Sequence, residues 1–148
     1  MKGDKPMFKT EVTYTNFLDQ EVTETLRFNL REDELLDLVK EDPTFDANYL
    51  AYISQQQDFQ KMMKVVRRLI SLSYGEVSED GRSFRKSDQR SLDFLQSSAY
   101  TTFVDRILSD STGKTFMDFL TGVFPAKFSE QLVSKMKADG VPQLATVK

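Results

Sequence analysis

The sequence contains no cysteine, no histidine and no tryptophan. Without cysteine the chain has no disulfide framework and no thiolate metal site, and a reducing compartment is the simpler expectation. The absence of histidine removes the commonest general base near neutral pH, the commonest zinc ligand and the usual activated nucleophile pairs. We therefore expect a protein without catalytic, metal or cofactor sites.

Long apolar runs are missing as well. Residues 1–6 lack the apolar core of a signal peptide, and no apolar run approaches the ~20 residues that cross a bilayer. The net charge is -3 with 29% charged residues, which argues against general nucleic-acid binding through phosphate neutralisation. These absences predict a soluble cytoplasmic protein that binds neither nucleic acid nor membrane.

The apolar residues that are present suffice for one ordinary domain. The 148 residues include 39% hydrophobic residues and 12 phenylalanines, enough to offset the conformational entropy that is lost on folding. No internal repeat or linker divides the chain. We predict a single α+β domain over residues 1–140, followed by a flexible tail over 141–148.

Apolar and polar residues alternate in the N-terminal segment, which predicts strands. The residues that share one face are Phe8, Val12 and Tyr14 in the first run and Val22, Leu26 and Phe28 in the second. A short break over residues 16–20 separates the runs, so residues 7–28 are interpreted as an antiparallel hairpin. Because an isolated hairpin is barely stable, its apolar face should pack on the helices that follow.

Helical spacing dominates residues 30–138. A first helix is predicted over about 30–39, capped by Asn29 and ended by Asp42-Pro43. The clearest helix covers about 57–73, with Gly75 placed to stop it. An Asp-Gly step within 74–87 predicts a loop or small hairpin.

Several short helices are predicted after residue 87. Their N-caps are assigned to Asp88, to Ser97 or Ser98, and to Asp110 or Ser111, and Gly122 and Pro125 end the third helix. A last amphipathic helix is predicted from about Ser129 to Ala138, ended by Gly140. The predicted apolar faces consist of Leu92 and Leu95, then Ala99, Phe103 and Ile107, then Phe116, Phe119, Leu120 and Val123, and finally Leu132, Val133 and Met136.

Three segments resemble sites of known chemistry, and each has a plainer explanation. Gly113-Lys114-Thr115 looks like the end of a phosphate-binding loop, but Leu108 occupies the position that needs glycine. The acidic run 76–81 has Ser87 where a calcium loop needs glutamate. The remaining carboxylate cluster suits the positive end of a helix dipole better than a catalytic pair, and its members are Glu32, Asp33, Glu34 and Asp37.

Two side-chain sets could contact a partner. The basic set Lys61, Lys64, Arg67 and Arg68 is interpreted as the wet face of a helix rather than a nucleic-acid site. The aromatic pairs Phe116 with Phe119 and Phe124 with Phe128 are expected mainly in the core. Exposure is expected nearest the C-terminal end, where the candidate partner-binding residues are Phe124, Phe128, Leu132, Val133 and Met136.

An ordered series of motifs resembles the tail assembly chaperones of long-tailed bacteriophages. Residues 69–87 are similar to that family's helix-YGE-EDG-x-x-F-x-K-S signature, 94–100 to its F-x-x-(S/T)-x-A-Y step, and 119–125 to its F-x-x-G-(I/V)-x-P ending. Residues 13–17 and 22–30 also look like the family's opening strands. The motif residues are Tyr74, Gly75, Asp80, Gly81, Phe84, Lys86, Ser87, Tyr100, Gly122 and Pro125.

The resemblance implies a non-enzymatic, cofactor-free protein that acts in the cytoplasm of the infected bacterial host and is absent from the mature virion. Its implied partners are the tape measure protein, which it would coat, and tail tube subunits, which it would recruit. Self-association is expected too. The alternative is a structural tail or neck component of the virion. The motif residues are expected to serve structure first, with Gly75 and Gly81 relieving backbone strain.

Overall fold

The computed structural model describes residues 7–136, which form a four-stranded sheet and seven helices. This architecture confirms the predicted α+β class. The elements in chain order are β1 (Phe8–Thr15), β2 (Glu21–Phe28), α1 (Glu32–Glu41), α2 (Ala47–Gln56), α3 (Phe59–Ser73), β3 (Tyr74–Val77), β4 (Phe84–Arg85), α4 (Asp88–Leu95), α5 (Ser98–Ser109), α6 (Lys114–Val123) and α7 (Ala126–Lys135). The predicted tail over 141–148 lies outside the described residues.

The sheet begins with the predicted hairpin, in which β1 and β2 are antiparallel and Phe8 lies opposite Phe28. This register keeps the apolar residues of both strands on one face, because side chains alternate with a period of two. The segment 74–87 contains a second hairpin of β3 and β4, which extends the sheet because Tyr74 pairs with Phe28. The strand order is β1-β2-β3-β4, so the predicted pair of strands is half of a larger sheet.

The centre of the core is Phe28, which is fully buried. Its ring centroid lies 5.4 to 6.2 Å from the centroids of Phe8, Tyr74, Phe94, Phe103 and Phe119. These rings come from β1, β3, α4, α5 and α6, so one residue of β2 joins the sheet to three helices. Each aromatic pair contributes about 0.5–1.5 kcal/mol beyond the area it buries.

The first two helices differ from the prediction. The N-cap of α1 is Arg31 rather than Asn29, and the Arg31 backbone N–H donates to Glu34 Oε1 at 2.9 Å. The first acidic turn therefore caps its own helix, as in a capping box. No helix is predicted where α2 lies, although Asp46 caps α2 by accepting from the Tyr49 backbone N–H at 3.1 Å.

The helix-ending roles predicted for Gly75 and Gly122 were wrong. The chain passes directly from α3 into β3, so Gly75 pairs within the sheet instead of stopping the helix. Gly122 lies inside α6, whose C-cap is Phe124. Pro125 precedes α7, which begins at Ala126, three residues before the predicted start.

The caps of α4 and α5 fit the prediction within one residue, whereas α6 has Gly113 at its N-cap and not the predicted Asp110 or Ser111. Ser87, rather than Asp88, caps α4, and its Oγ accepts from the Arg90 backbone N–H at 3.1 Å. Ser97 caps α5 as predicted. The face of α4 was misassigned, because Phe94 is buried whereas Leu92 is 47% exposed.

Candidate partner-binding surface

The Tyr-Gly-Glu motif lies where the small hairpin meets the core. The ring of Tyr74 stacks on Phe94 with centroids 4.4 Å apart and an interplanar angle of 10°. A Cβ on Gly75 would lie 2.7 Å from Phe84 Cε2 and 2.8 Å from the Arg85 carbonyl oxygen. Gly75 is therefore required by close packing and not by backbone strain, which corrects the expectation for this residue.

The Glu-Asp-Gly motif forms the turn between β3 and β4. Gly81 has a φ of +78°, a conformation that favours glycine, as expected. The Asp80 carboxylate accepts from the Arg82 backbone N–H at 3.0 Å and the Ser78 hydroxyl at 2.7 Å. These bonds, the Arg82 N–H first, hold the pKa of Asp80 below its usual range. Within the acidic run, Asp80 is therefore engaged in its own turn, while Glu76 pairs with Arg90 at 3.0 Å.

The Lys-Ser pair connects the small hairpin to two helices. Lys86 Nζ donates to the Asn29 carbonyl oxygen at 2.8 Å and to Glu34 Oε1 at 2.5 Å, which ties the end of β4 to the start of α1. Its side chain is largely buried, so this ion pair is shielded from solvent. Ser87 then caps α4.

The remaining motif residues pack at helix ends and crossings. The ring of Tyr100 meets Phe94 edge-on, with centroids 5.8 Å apart. A Cβ on Gly122 would lie 2.6 Å from Phe8 Cδ1, so this glycine lets α6 approach β1. Pro125 is buried at the N-cap of α7. Every motif residue thus has a packing, capping or turn role in this fold.

Exposed apolar side chains lie elsewhere, between α1 and α7. A groove of about 1050 Å³ runs between these helices and the α1–α2 connection. Leu36 is 70% exposed and Val39 39% exposed on α1, and Phe128 is half-buried on α7. We call this surface the α1–α7 groove. Its other lining residues are Leu35, Lys40, Pro43, Phe45, Asp46, Ala47, Asn48, Lys127, Glu130, Gln131, Ser134 and Lys135.

The groove is anchored to the core by contacts between tilted and edge-on aromatic rings. The centroids of Phe128 and Phe124 are 4.4 Å apart, and Phe124 lies 6.5 Å from Phe45. Because Phe124 and Phe45 are buried, the half-buried Phe128 is held in place from below. The groove therefore offers a preformed apolar floor.

The candidate residues near the C-terminal end divide into two sets. Phe124 and Leu132 are buried, so the exposure expected for them was wrong. Phe128 lines the groove, Val133 is exposed on the neighbouring flank of α7, and Met136 accepts a long contact from Gln55 Nε2 at 3.8 Å. Partner binding by this end of the molecule stays a prediction, carried by the exposed residues.

Comparison with known protein families supports the resemblance that the ordered motifs indicate. The chain matches the family model described as phage tail assembly chaperone over residues 7–146 of 148. The chain belongs to the phage tail assembly chaperone family. No curated protein and no solved structure matches it significantly.

In this chaperone the phosphate-loop-like segment is a closed turn. The Asp110 carboxylate accepts from the backbone N–H groups of Thr112 at 3.0 Å and Thr115 at 2.8 Å. These amides are the groups that would otherwise hold a phosphate. The Thr112 and Thr115 hydroxyls also donate to Asp110, and together these bonds lower its pKa.

Two tyrosines of the chaperone have raised pKa values. The Tyr14 hydroxyl donates to the Glu24 carboxylate, and this bond raises the pKa of Tyr14 to about 12. Burial raises the pKa of Tyr74 to about 12. Both phenols therefore stay neutral well above physiological pH and serve as packing and hydrogen-bonding groups.

The other chemical candidates also have ordinary surface roles. On the basic face of α3, Lys61 pairs with Asp58 at 3.7 Å and Arg68 with Glu41 at 3.2 Å. Over residues 7–136 no group of three acidic side chains is arranged to hold a metal ion. In the same range no helix is both long and apolar enough to cross a membrane.

The exposed residues of α1 are absent from the predicted partner-binding set, although the sequence of the helix carries a signal for them. Leu35, Leu36, Leu38 and Val39 are four apolar residues within five positions. At about 100° per residue these four side chains cover an arc of about 160°, which is wider than the apolar stripe of about 100° that a surface helix commonly buries. Leu35 and Leu38 face the core, which leaves Leu36 and Val39 toward solvent.

Proposed function

We propose that this chaperone binds the tape measure protein through the α1–α7 groove and helps to recruit tail tube subunits around it. The observation that carries the proposal is the exposure of Leu36 beside a half-buried aromatic ring, Phe128, on a floor fixed by the core. Apolar side chains held open in this way are typical of a protein–protein binding site. The action proposed is binding alone, without catalysis or a cofactor.

The groove fits the apolar stripe of an α-helix. The ten residues of α1 span about 15 Å, close to three turns of a bound helix. Such a helix would place residues spaced i, i+3, i+4 and i+7 against Leu36, Val39 and Phe128. A tape measure protein with long helical segments presents stripes of this kind before the tail tube covers them.

Binding of this kind suits a temporary partner. The groove edge carries lysines and acidic residues around a small apolar floor, namely Lys40, Lys127, Lys135, Asp46 and Glu130. A modest apolar contact with a charged rim gives reversible binding, because the buried area is limited and the rim stays hydrated. The chaperone would hold the tape measure protein soluble in the cytoplasm of the infected bacterial host and leave as the tube assembles.

The experiment is co-expression with the tape measure protein of the same phage. We expect the wild-type chain to keep that protein soluble and to copurify with it, and Leu36→Glu to lose both effects because it places a charge on the groove floor. The control is Leu92→Glu, which changes an exposed leucine outside the groove. Equal solubilisation by the Leu36→Glu and wild-type chains would contradict the proposal.

Recruitment and release are tested separately. The complex with the tape measure protein should retain added tail tube subunits, whereas the chaperone alone should retain fewer. Mass spectrometry of purified virions should find no peptides of the chaperone. Stoichiometric amounts in the particle would instead establish the alternative, a structural tail or neck component.

A further inference from the structure

The tip of the β1–β2 hairpin presents a second exposed apolar feature. Phe17 is 80% exposed and Leu18 is 76% exposed, and both lie in the five-residue connection between the strands. Large apolar side chains at an exposed loop tip contribute little to the stability of a single folded chain, because they contact few of its other residues. We call these two residues the hairpin tip.

The hairpin tip is held in one conformation by its own hydrogen bonds. Asn16 Oδ1 accepts from the backbone N–H groups of Leu18 at 2.8 Å and Gln20 at 3.0 Å. The Asn16 and Gln20 backbones are also bonded at 2.9 Å, and Asp19 adopts a positive φ of 63° that closes the turn. A preformed tip loses little conformational entropy on binding.

Charge distinguishes the hairpin tip from the α1–α7 groove. Residues 11–25 contain Glu11, Asp19, Glu21 and Glu24 and no lysine or arginine. The groove carries three lysines, Lys40, Lys127 and Lys135, against two acidic residues, Asp46 and Glu130. Among the described residues, none of these three lysines forms an ion pair. The hairpin tip combines apolar side chains with acidic residues, and the α1–α7 groove combines apolar side chains with an excess of lysine. The two surfaces are therefore complementary in charge and in apolar character.

We infer that the hairpin tip of one copy docks into the α1–α7 groove of a second copy. Phe17 and Leu18 would pack on Leu36, Val39 and Phe128, with Asp19 and Glu21 near the groove lysines. The inference rests on the groove of the proposed function, and it assigns that groove a second occupant.

The contact joins different surfaces of the two copies. The chain leaves β2 for α1 at Phe28, at the opposite end of the strand from the tip, about 27 Å away for eight residues. Such a heterologous contact propagates into a chain of subunits unless the geometry closes it. Because a tape measure helix would use the same groove, its binding and docking of the tip exclude each other at any one groove.

Complementary mixing tests the inference. Phe17→Glu destroys the tip but keeps the groove, and Leu36→Glu destroys the groove but keeps the tip. Each variant alone should associate about 30-fold more weakly than wild type in analytical ultracentrifugation, the effect of losing an interface hot spot. An equimolar mixture should form a heterodimer, because one intact tip meets one intact groove, while Leu92→Glu should associate like wild type.

Several results would overturn the inference. They are a wild-type chain that stays monomeric at all accessible concentrations, a Phe17→Glu variant that associates like wild type, and a mixture that forms no heterodimer. Circular dichroism and urea unfolding establish that each variant is folded, which is expected because Phe17 and Leu36 are both largely exposed.

The tape measure protein separates this inference from the proposed function. Phe17→Glu should still bind co-expressed tape measure protein, since its groove is intact, and wild-type assemblies should dissociate when that protein is added. If the wild-type chain fails to bind the tape measure protein while the mixture still forms a heterodimer, the proposed function is wrong and the self-association stands.

Discussion

The aromatic core around Phe28 and the α1–α7 groove use similar residues in opposite ways. In the core, Phe28, Phe103 and Phe119 are buried among rings from several elements. In the groove, Leu36 and Val39 remain exposed on a helix whose other face, with Leu35 and Leu38, is buried. The difference indicates that the core determines the fold, whereas the exposed groove residues contribute little to it.

The residues of the family motif stabilise the fold, as the core residues do. Its residues stack, cap helices or allow close backbone approach, as Tyr74, Ser87 and Gly122 illustrate. The groove residues Leu36 and Val39 lie outside the motif. A motif of this kind identifies the family through its fold, and the binding surface must be located by exposure.

The largest expected effect comes from truncating the centre of the core. Phe28→Ala should lower the free energy of unfolding by about 3–5 kcal/mol, because it removes a buried ring and leaves a cavity. Leu36→Ala, the matched change in the groove, should lower it by less than about 0.5 kcal/mol. Urea unfolding followed by circular dichroism measures both. Similar losses in the two variants would remove the distinction between core and groove.

The next effect concerns the contact between the small hairpin and α1. Lys86→Met should cost about 1–2 kcal/mol, because Glu34 and the Asn29 carbonyl lose a charged donor that is largely shielded from water. The control Lys61→Met breaks an exposed pair with Asp58 and should cost less than about 0.5 kcal/mol. A cost for Lys86→Met no greater than for its control would show that this link contributes little.

Close packing of α6 on β1 predicts a smaller effect. Gly122→Ala should destabilise the protein by about 1 kcal/mol, because the displacement of Phe8 outweighs the better helix propensity of alanine. A double-mutant cycle with Phe8→Leu should show coupling, since the smaller side chain leaves room for the new methyl group. Gly81→Ala, which meets no atom within 4 Å but has a φ of +78°, should show no coupling to Phe8. Additive effects at residues 8 and 122 would contradict the packing argument.

The smallest effect is a pH dependence at the edge of the sheet. The bond to Glu24 raises the pKa of Tyr14 to about 12, above its unfolded value of about 10. The folded state therefore holds this proton more tightly, and its stabilisation is complete below about pH 10 and lost as the pH rises toward 12. Tyr14→Phe should show a shallower loss of stability between about pH 10 and pH 12 than wild type. Identical slopes would refute the assignment. Because burial also raises the pKa of Tyr74, some loss of stability with rising pH should remain in both wild type and Tyr14→Phe.

Local signals were sufficient for part of the fold. Alternation in residues 7–28 predicts the hairpin and its buried face, which the pairing of Phe8 with Phe28 confirms. Helical spacing predicts α3, and Ser97 is recognisable as a cap because a hydroxyl precedes an apolar run. These features depend on neighbours within a few residues, so a sequence displays them directly.

Features that depend on distant contacts were missed. In α2 the buried positions include small residues, Ala47, Ala51 and Ser54, so its apolar spacing is weak until α7 packs on it. The extension of the sheet requires Phe28 to meet Tyr74, 46 positions along the chain. The groove exists because α7 packs on α2 and α6, across from α1, and no local pattern specifies that packing.

The most direct test of the central claim is amide hydrogen exchange of the Phe17→Glu variant, whose groove no hairpin tip covers, with and without bound tape measure protein. Binding through the groove predicts added protection in α1 and α7, with β3, β4 and the turn at Gly81 unchanged. Protection concentrated on the β3–β4 hairpin, or no change in α1 and α7 despite a stable complex, would contradict the assignment of binding to the groove and of the motif to the fold.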